Sequence, residues 1–126
     1  MKIYESTDVR NVALVGHGNS GKTSLVAAML YTAGATNRLT RVDEGNTVTD
    51  YDDEEIARKI TISTSLAAVE WGKKKLNLFD TPGFSLFTYD AKIAMGAADS
   101  ALIVIDGVAG VEVVTEKVWE YAEGFQ

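Results

Sequence analysis

The chain has no cysteine. That excludes disulfide staples and thiolate metal sites, and it is compatible with a reducing compartment. No stretch approaches the 18 apolar residues of a membrane span, and Met1-Lys2-Ile3-Tyr4-Glu5 lacks the apolar core of a secretory signal. There is no internal repeat and no low-complexity tract. Basic residues are the minority, 12 Lys plus Arg against 18 Asp plus Glu, for a net charge of −6. A chain of that sign does not coat nucleic acid by bulk charge, although a local basic contact with RNA stays open. These absences lead us to expect a soluble cytoplasmic protein with no membrane partner and no direct DNA binding. Its 126 residues, 46% hydrophobic and 24% charged, are expected to form one domain, burying roughly two-thirds of the surface that its unfolded form exposes.

What is present is concentrated in one stretch. Gly16-His17-Gly18-Asn19-Ser20-Gly21-Lys22-Thr23 fits G-x-x-x-x-G-K-[ST] without a mismatch, and Ser24 follows it. The apolar run Val12-Ala13-Leu14-Val15 before it suits a buried strand. After it, Leu25/Met29 and Val26/Leu30 pair at helical spacing up to Tyr31, with Gly34 as the C-cap. Strand, glycine loop and helix together make a phosphate cradle. The glycines let consecutive N–H groups point inward at the positive end of the helix. Lys22 then reaches the β- and γ-phosphates, and the Thr23 hydroxyl ligates Mg²⁺. The expected ligand is a nucleoside triphosphate.

Further along, residues 35–59 are polar and without a period, and carry an acidic group at Asp50, Asp52, Asp53, Glu54 and Glu55. This reads as a long structureless loop, its acidic group as a solvated face. Residues 61–71 are strand-like, Gly72-Lys73 makes a turn, and Lys75 to Asp80 returns as the second strand of a hairpin. Lys73-Lys74-Lys75 reads as a charged hairpin turn, since three lysines neutralise few phosphates. Asp80-Thr81-Pro82-Gly83 ends that strand sharply. Leu86 to Ala98 is predicted helical, with Phe87, Ala91, Ala94 and Ala98 on one face and Ile93 and Ala97 beside them. Ala101 to Asp106 suits a central parallel strand. A last helix is expected to turn Val111, Val114, Val118 and Tyr121 inward and Glu112, Glu116 and Glu120 outward. Trp71 and Trp119 read as packing residues.

Asp80 supplies the second half of a phosphoryl-transfer site, because a carboxylate at the end of a strand beside the phosphate loop orients Mg²⁺ and its waters. Gly83 permits a close backbone approach, so its N–H is a candidate partner for the γ-phosphate. Thr61 is the candidate for sensing that phosphate from the other side, through its hydroxyl on the metal. Loops held in this way collapse when the phosphate leaves.

Gly16–Thr23, Arg58-Lys59-Ile60-Thr61-Ile62, Asp80-Thr81-Pro82-Gly83 and Gly110-Val111-Glu112…Thr115-Glu116…Trp119 follow the order and spacing of translation elongation factor G. The chain resembles the amino-terminal part of that factor's GTPase domain, and is similar also to the ribosomal tetracycline-protection proteins. The resemblance implies an α/β P-loop NTPase (G-domain) three-layer fold, truncated, whose mostly parallel sheet has one antiparallel edge strand. It implies GTP or GDP as ligand, Mg²⁺ held by Thr23, Thr61 and Asp80, and catalysis involving Lys22, Thr61 and Gly83. The ribosome would be the partner of the full-length protein. The first switch would lie within residues 35–62 and the second would begin at Asp80, with Thr81 and Pro82 beside the nucleotide.

The chain departs from the family's pattern at four points. Phe84 stands where the family places a water-positioning His, and a phenyl ring makes no such hydrogen bond. Lys59 stands where the family usually has Gly, and Asn19 where it usually has Asp. Asn19 either caps the loop or, as in potassium-stimulated GTPases, ligates a monovalent cation. The guanine-reading Asn-Lys-x-Asp motif is absent, so a fragment of a longer multidomain protein is expected. The family's fold would pair a further strand with residues 101–106. That leaves an apolar edge expected to drive self-association. A non-hydrolysing nucleotide switch, a relative of the ribosomal tetracycline-protection proteins and an ATP-using P-loop enzyme remain the alternatives.

Overall fold

Strand β1 (Val9–Val15) is the middle of the molecule because its alternate side chains serve two different cores. Ala13 and Val15 face one way, into a cluster with Ala91, Ala94, Met95, Val114 and Val118. Leu14 faces the other way, packed with Val26, Leu30, Ala67, Val69 and Leu78. The computed structural model describes residues 2–49 and 51–125, and Asp50 of the acidic group lies outside them.

Around β1 the chain runs α1 (Lys22–Thr32), α2 (Asp53–Arg58), β2 (Ser65–Trp71), β3 (Lys74–Asp80), α3 (Thr88–Ala97), β4 (Ser100–Ile103) and α4 (Val113–Glu123). The sheet order is β2-β3-β1-β4. β1 pairs in parallel with β3 and with β4, while β2 is the antiparallel edge. Helix α1 covers one face, and α3 and α4 cover the other. This is the expected three-layer, mostly parallel arrangement. The hairpin turn at Gly72 and Lys73 has φ of 54° and 70°, the positive pair that matches the twist of the strands on either side. Helix α1 ends where Gly34, at φ 73°, donates to the Tyr31 carbonyl and Ala35 donates to that of Leu30.

Several expectations are corrected. The run at 101–106 is a strand only as far as Ile103 and, among the described residues, lies at the edge of the sheet rather than at its centre, with the unpaired side expected of it. β4 is four residues long and, among the described residues, pairs only with β1, with Ala101 and Leu102 exposed. An apolar run reports burial on both faces but not how many neighbours a strand has. Asp106 instead bridges to Gly110, and its side chain accepts from the Val108 and Ala109 amides. Residues 35–59 are not structureless, since they hold a 3₁₀ turn (Val42–Glu44) and α2. Residues 61–64 are loop ahead of β2. Residues 85–87 form a 3₁₀ turn before α3, and Ile93, Ala97 and Val111 lie exposed. Trp71 and Trp119 are 59% and 55% exposed, and so are not core packing residues.

Candidate nucleotide site

The loop from Gly16 to Gly21 carries β1 into α1. Gly16 is at φ 147° and Gly21, the N-cap of α1, at φ 96°, and Asn19 sits exposed at φ 63°. A Cβ at Gly16 would run into the Val104 carbonyl oxygen, so glycine is required where β1 turns past the end of β4. Gly21 makes no side-chain cap, which leaves the first N–H groups of α1 for the cleft. The Ser20 hydroxyl is buried with no protein partner among the described residues. A buried polar atom of this kind is satisfied by a ligand or water.

Lys22 is buried, and its ammonium donates to the carbonyls of Gly16 (3.2 Å) and His17 (2.7 Å). Burial lowers its pKa to about 8, and the neighbouring Asp80 carboxylate opposes part of that drop. Asp80 is fully buried at the carboxyl end of β3 and accepts from the Thr49 hydroxyl at 2.7 Å. Thr81 donates to the Leu14 carbonyl at 2.7 Å and so ties the turn after β3 back to β1. Pro82 is fully buried behind it. A Cβ on Gly83 would lie 2.6 Å from the Gly18 nitrogen and would also meet the Lys22 ammonium. Gly83 therefore fits against the phosphate loop only as glycine.

Thr61 comes from the far end of the polar segment. Its Oγ1 is 3.1 Å from that of Thr23. A cleft of about 410 Å³ joins these parts, with Gly18, Lys22, Thr23, Lys59, Thr61 and Gly83 on its walls. Ser24 and Asn19 also line it. Of the expected site residues, Gly18, Asn19, Gly21, Lys22, Thr23, Ser24, Thr61 and Gly83 line this cleft, whereas Gly16, His17, Ser20, Asp80, Thr81 and Pro82 do not, the last three being fully buried.

Against known families, the one described as the elongation factor Tu GTP binding domain matches residues 7–126. The chain belongs to that family. It is 44% identical over 113 residues to a mitochondrial ribosome-releasing factor 2 of Scheffersomyces stipitis, covering 90% of this chain and 13% of that protein. It is also 44% identical over 118 residues to the Drosophila virilis protein of the same name, covering 94% of this chain and 17% of that one. The chain therefore spans about a sixth or less of the length of these relatives. A crystal structure of a Thermus thermophilus protein superposes with a TM-score of 0.90 at 42% identity, over 94% of this chain and 18% of that one. A bacterial selenocysteine-specific elongation factor shares the fold, with a TM-score of 0.72 at 24% identity over 92% of this chain and 18% of that one. The expected resemblance to elongation-factor G domains is borne out, and a guanine nucleotide is the ligand such a domain takes.

Three further residues shape the site of this member of the elongation-factor GTP-binding family. Phe84 lies with its ring against the Gly18 backbone, where a Cβ on Gly18 would meet the ring at 2.9 Å. Lys59 ends α2 at φ 55°, a conformation that favours glycine. His17 accepts from the Val114 amide at 3.4 Å and lies 3.5 Å from Glu112, which links the phosphate loop to the start of α4.

Sequence reasoning missed two residues. Thr49 gave no signal. Glu55 was read as part of a solvated acidic face, yet it is 1% exposed. The spacing Asp52-x-x-Glu55 was the available clue, because it forms a capping box on α2.

Proposed function

We propose that this chain is the nucleotide-binding part of an elongation factor G-like translational GTPase, a longer multidomain protein that couples GTP hydrolysis to a conformational switch on the ribosome. The observation that carries this reading is the convergence of Lys22, Thr23, Thr61 and Gly83 on one cleft, with the Asp80 carboxylate buried close enough to act on the Lys22 ammonium. Lys22 neutralises phosphate charge, and Gly83 presents its backbone to the γ-phosphate. Thr23, Thr61 and Asp80 form a set of hard oxygen donors that suits Mg²⁺. Among the described residues no three His, Cys, Asp or Glu side chains cluster to hold a metal alone, so the nucleotide's phosphates would complete its shell. When bound, Mg²⁺ would supply positive charge to offset that of the phosphates. Asn19, at the rim of the loop, is the position for a monovalent cation. The ribosome-releasing name carried by the relatives supports the ribosome as partner. Those relatives are mitochondrial, and for this chain the proposed place of action is the cytoplasm. Among the described residues no helix is long and apolar enough to cross a membrane. The open edge of β4 favours self-association of the isolated chain.

Single-turnover GTP hydrolysis by the full-length protein tests this reading. Acceleration by ribosomes is expected. No acceleration would favour a nucleotide switch that does not hydrolyse, for which the Phe84 ring against Gly18 is the structural argument.

A further inference from the structure

We infer that Glu55 is the positioning residue that sets Thr61 at the metal side of the site, an inference that rests on the reading of Thr61 as a metal ligand. Of the described acidic residues at 52–55, Asp52, Asp53 and Glu54 are exposed and only Glu55 is buried. Its Oε1 accepts from the Ile62 amide at 2.9 Å and the Ser63 amide at 3.1 Å. Its Oε2 accepts from the Asp52 amide at 3.4 Å. Its backbone carbonyl accepts from the Lys59 and Ile60 amides. Amides 59, 60, 62 and 63, two on each side of Thr61, therefore all end on one residue.

Burying a carboxylate is costly unless N–H groups replace its water. Glu55 meets that condition only when the segment at 59–63 lies closed over α2. The closed segment is the one that brings the Thr61 hydroxyl to Thr23. Closure of the arm and burial of the carboxylate are thus one event. Glu55 touches no ligand position itself and acts through Thr61.

The test uses the full-length protein and Glu55→Gln, which keeps the size but replaces one acceptor oxygen with an NH₂ group. Affinity for a non-hydrolysable GTP analogue with Mg²⁺ should fall about tenfold, the effect of losing one or two hydrogen bonds to a charged acceptor. GDP affinity should change by less than about twofold, because the diphosphate does not need the arm. Thr61→Ala should show the same bias, and the double variant should be no weaker than Thr61→Ala alone. Equal losses for GDP and the analogue, or additive losses in the double variant, would overturn the role of Glu55. A Thr61→Ala variant without the bias would instead overturn the reading of Thr61. Should Glu55→Gln not fold, amide exchange in the analogue-loaded wild type decides. Protection of Ile62 and Ser63 by about 100-fold or more supports the inference, and exchange at the rate of an open loop refutes it.

Discussion

The two halves of this site are held by different means. The phosphate loop rests on main-chain geometry: glycines at positive φ, the β1 ladder on both sides, and Gly83 fitted against Gly18. The arm at 35–64 rests on side chains. Thr49 is bonded to Asp80, the Ser65 hydroxyl donates to the Thr49 carbonyl at 2.6 Å, Glu55 grips the amides near Thr61, and Thr61 meets Thr23. Backbone ladders over a buried core persist whatever is bound, whereas a few side-chain hydrogen bonds are worth only a few kcal/mol and can be exchanged for contacts with a ligand. One half is a fixed anvil, and the other is built to come and go.

That contrast breaks hardest at the core. Leu14→Ala, at a residue with no exposure, should destabilise the chain by about 2–5 kcal/mol in denaturant unfolding, because it empties the layer under the loop. The next largest effect is on pH dependence. The Lys22 ammonium loses its proton near pH 8 when folded, against an ordinary 10.5. The unfolded chain thus binds more protons between those values, and the nucleotide-free protein should gain stability as pH rises through that window, by up to about 3 kcal/mol. Thermal melts from pH 7 to 10.5, with Lys22→Met as the flat control, check this. Bound phosphates hold the proton on, so nucleotide affinity should fall as pH rises above about 8.

On the arm, Thr49→Val keeps the shape but removes the donor to the buried Asp80 carboxylate. It should cost about 1–3 kcal/mol in chemical unfolding while leaving the β1 ladder protected from amide exchange. At the small end, Trp119→Ala should stay within about 0.5 kcal/mol of wild type by the same measure. Its ring is half exposed and its indole N–H donates along its own helix, to Glu123.

The fixed half was also the legible one. Gly16–Thr23 announces itself because a tight anion-binding turn leaves few residue choices, and β1, β3 and the hairpin follow from apolar runs and turn chemistry. The arm was opaque for physical reasons. α2 has only six residues, too few to display a helical period. The partners of Glu55 are main-chain amides, which no sequence spells out. An acidic run looks the same whether one member is buried or none is. The strand expected over 101–106 ends at Ile103, because an apolar run does not show where its backbone leaves the ladder. The exposed tryptophans show that size and apolarity alone do not place a side chain in a core.

The central claim is that Lys22 and the loop around it hold the phosphates of a guanine nucleotide. Displacement of a fluorescent GTP analogue from the full-length protein, wild type against Lys22→Ala, tests it most directly. GTP and GDP should displace the analogue while ATP does not, and Lys22→Ala should weaken binding by roughly 100-fold. Binding unchanged in Lys22→Ala, or ATP competing as well as GTP, would contradict the account.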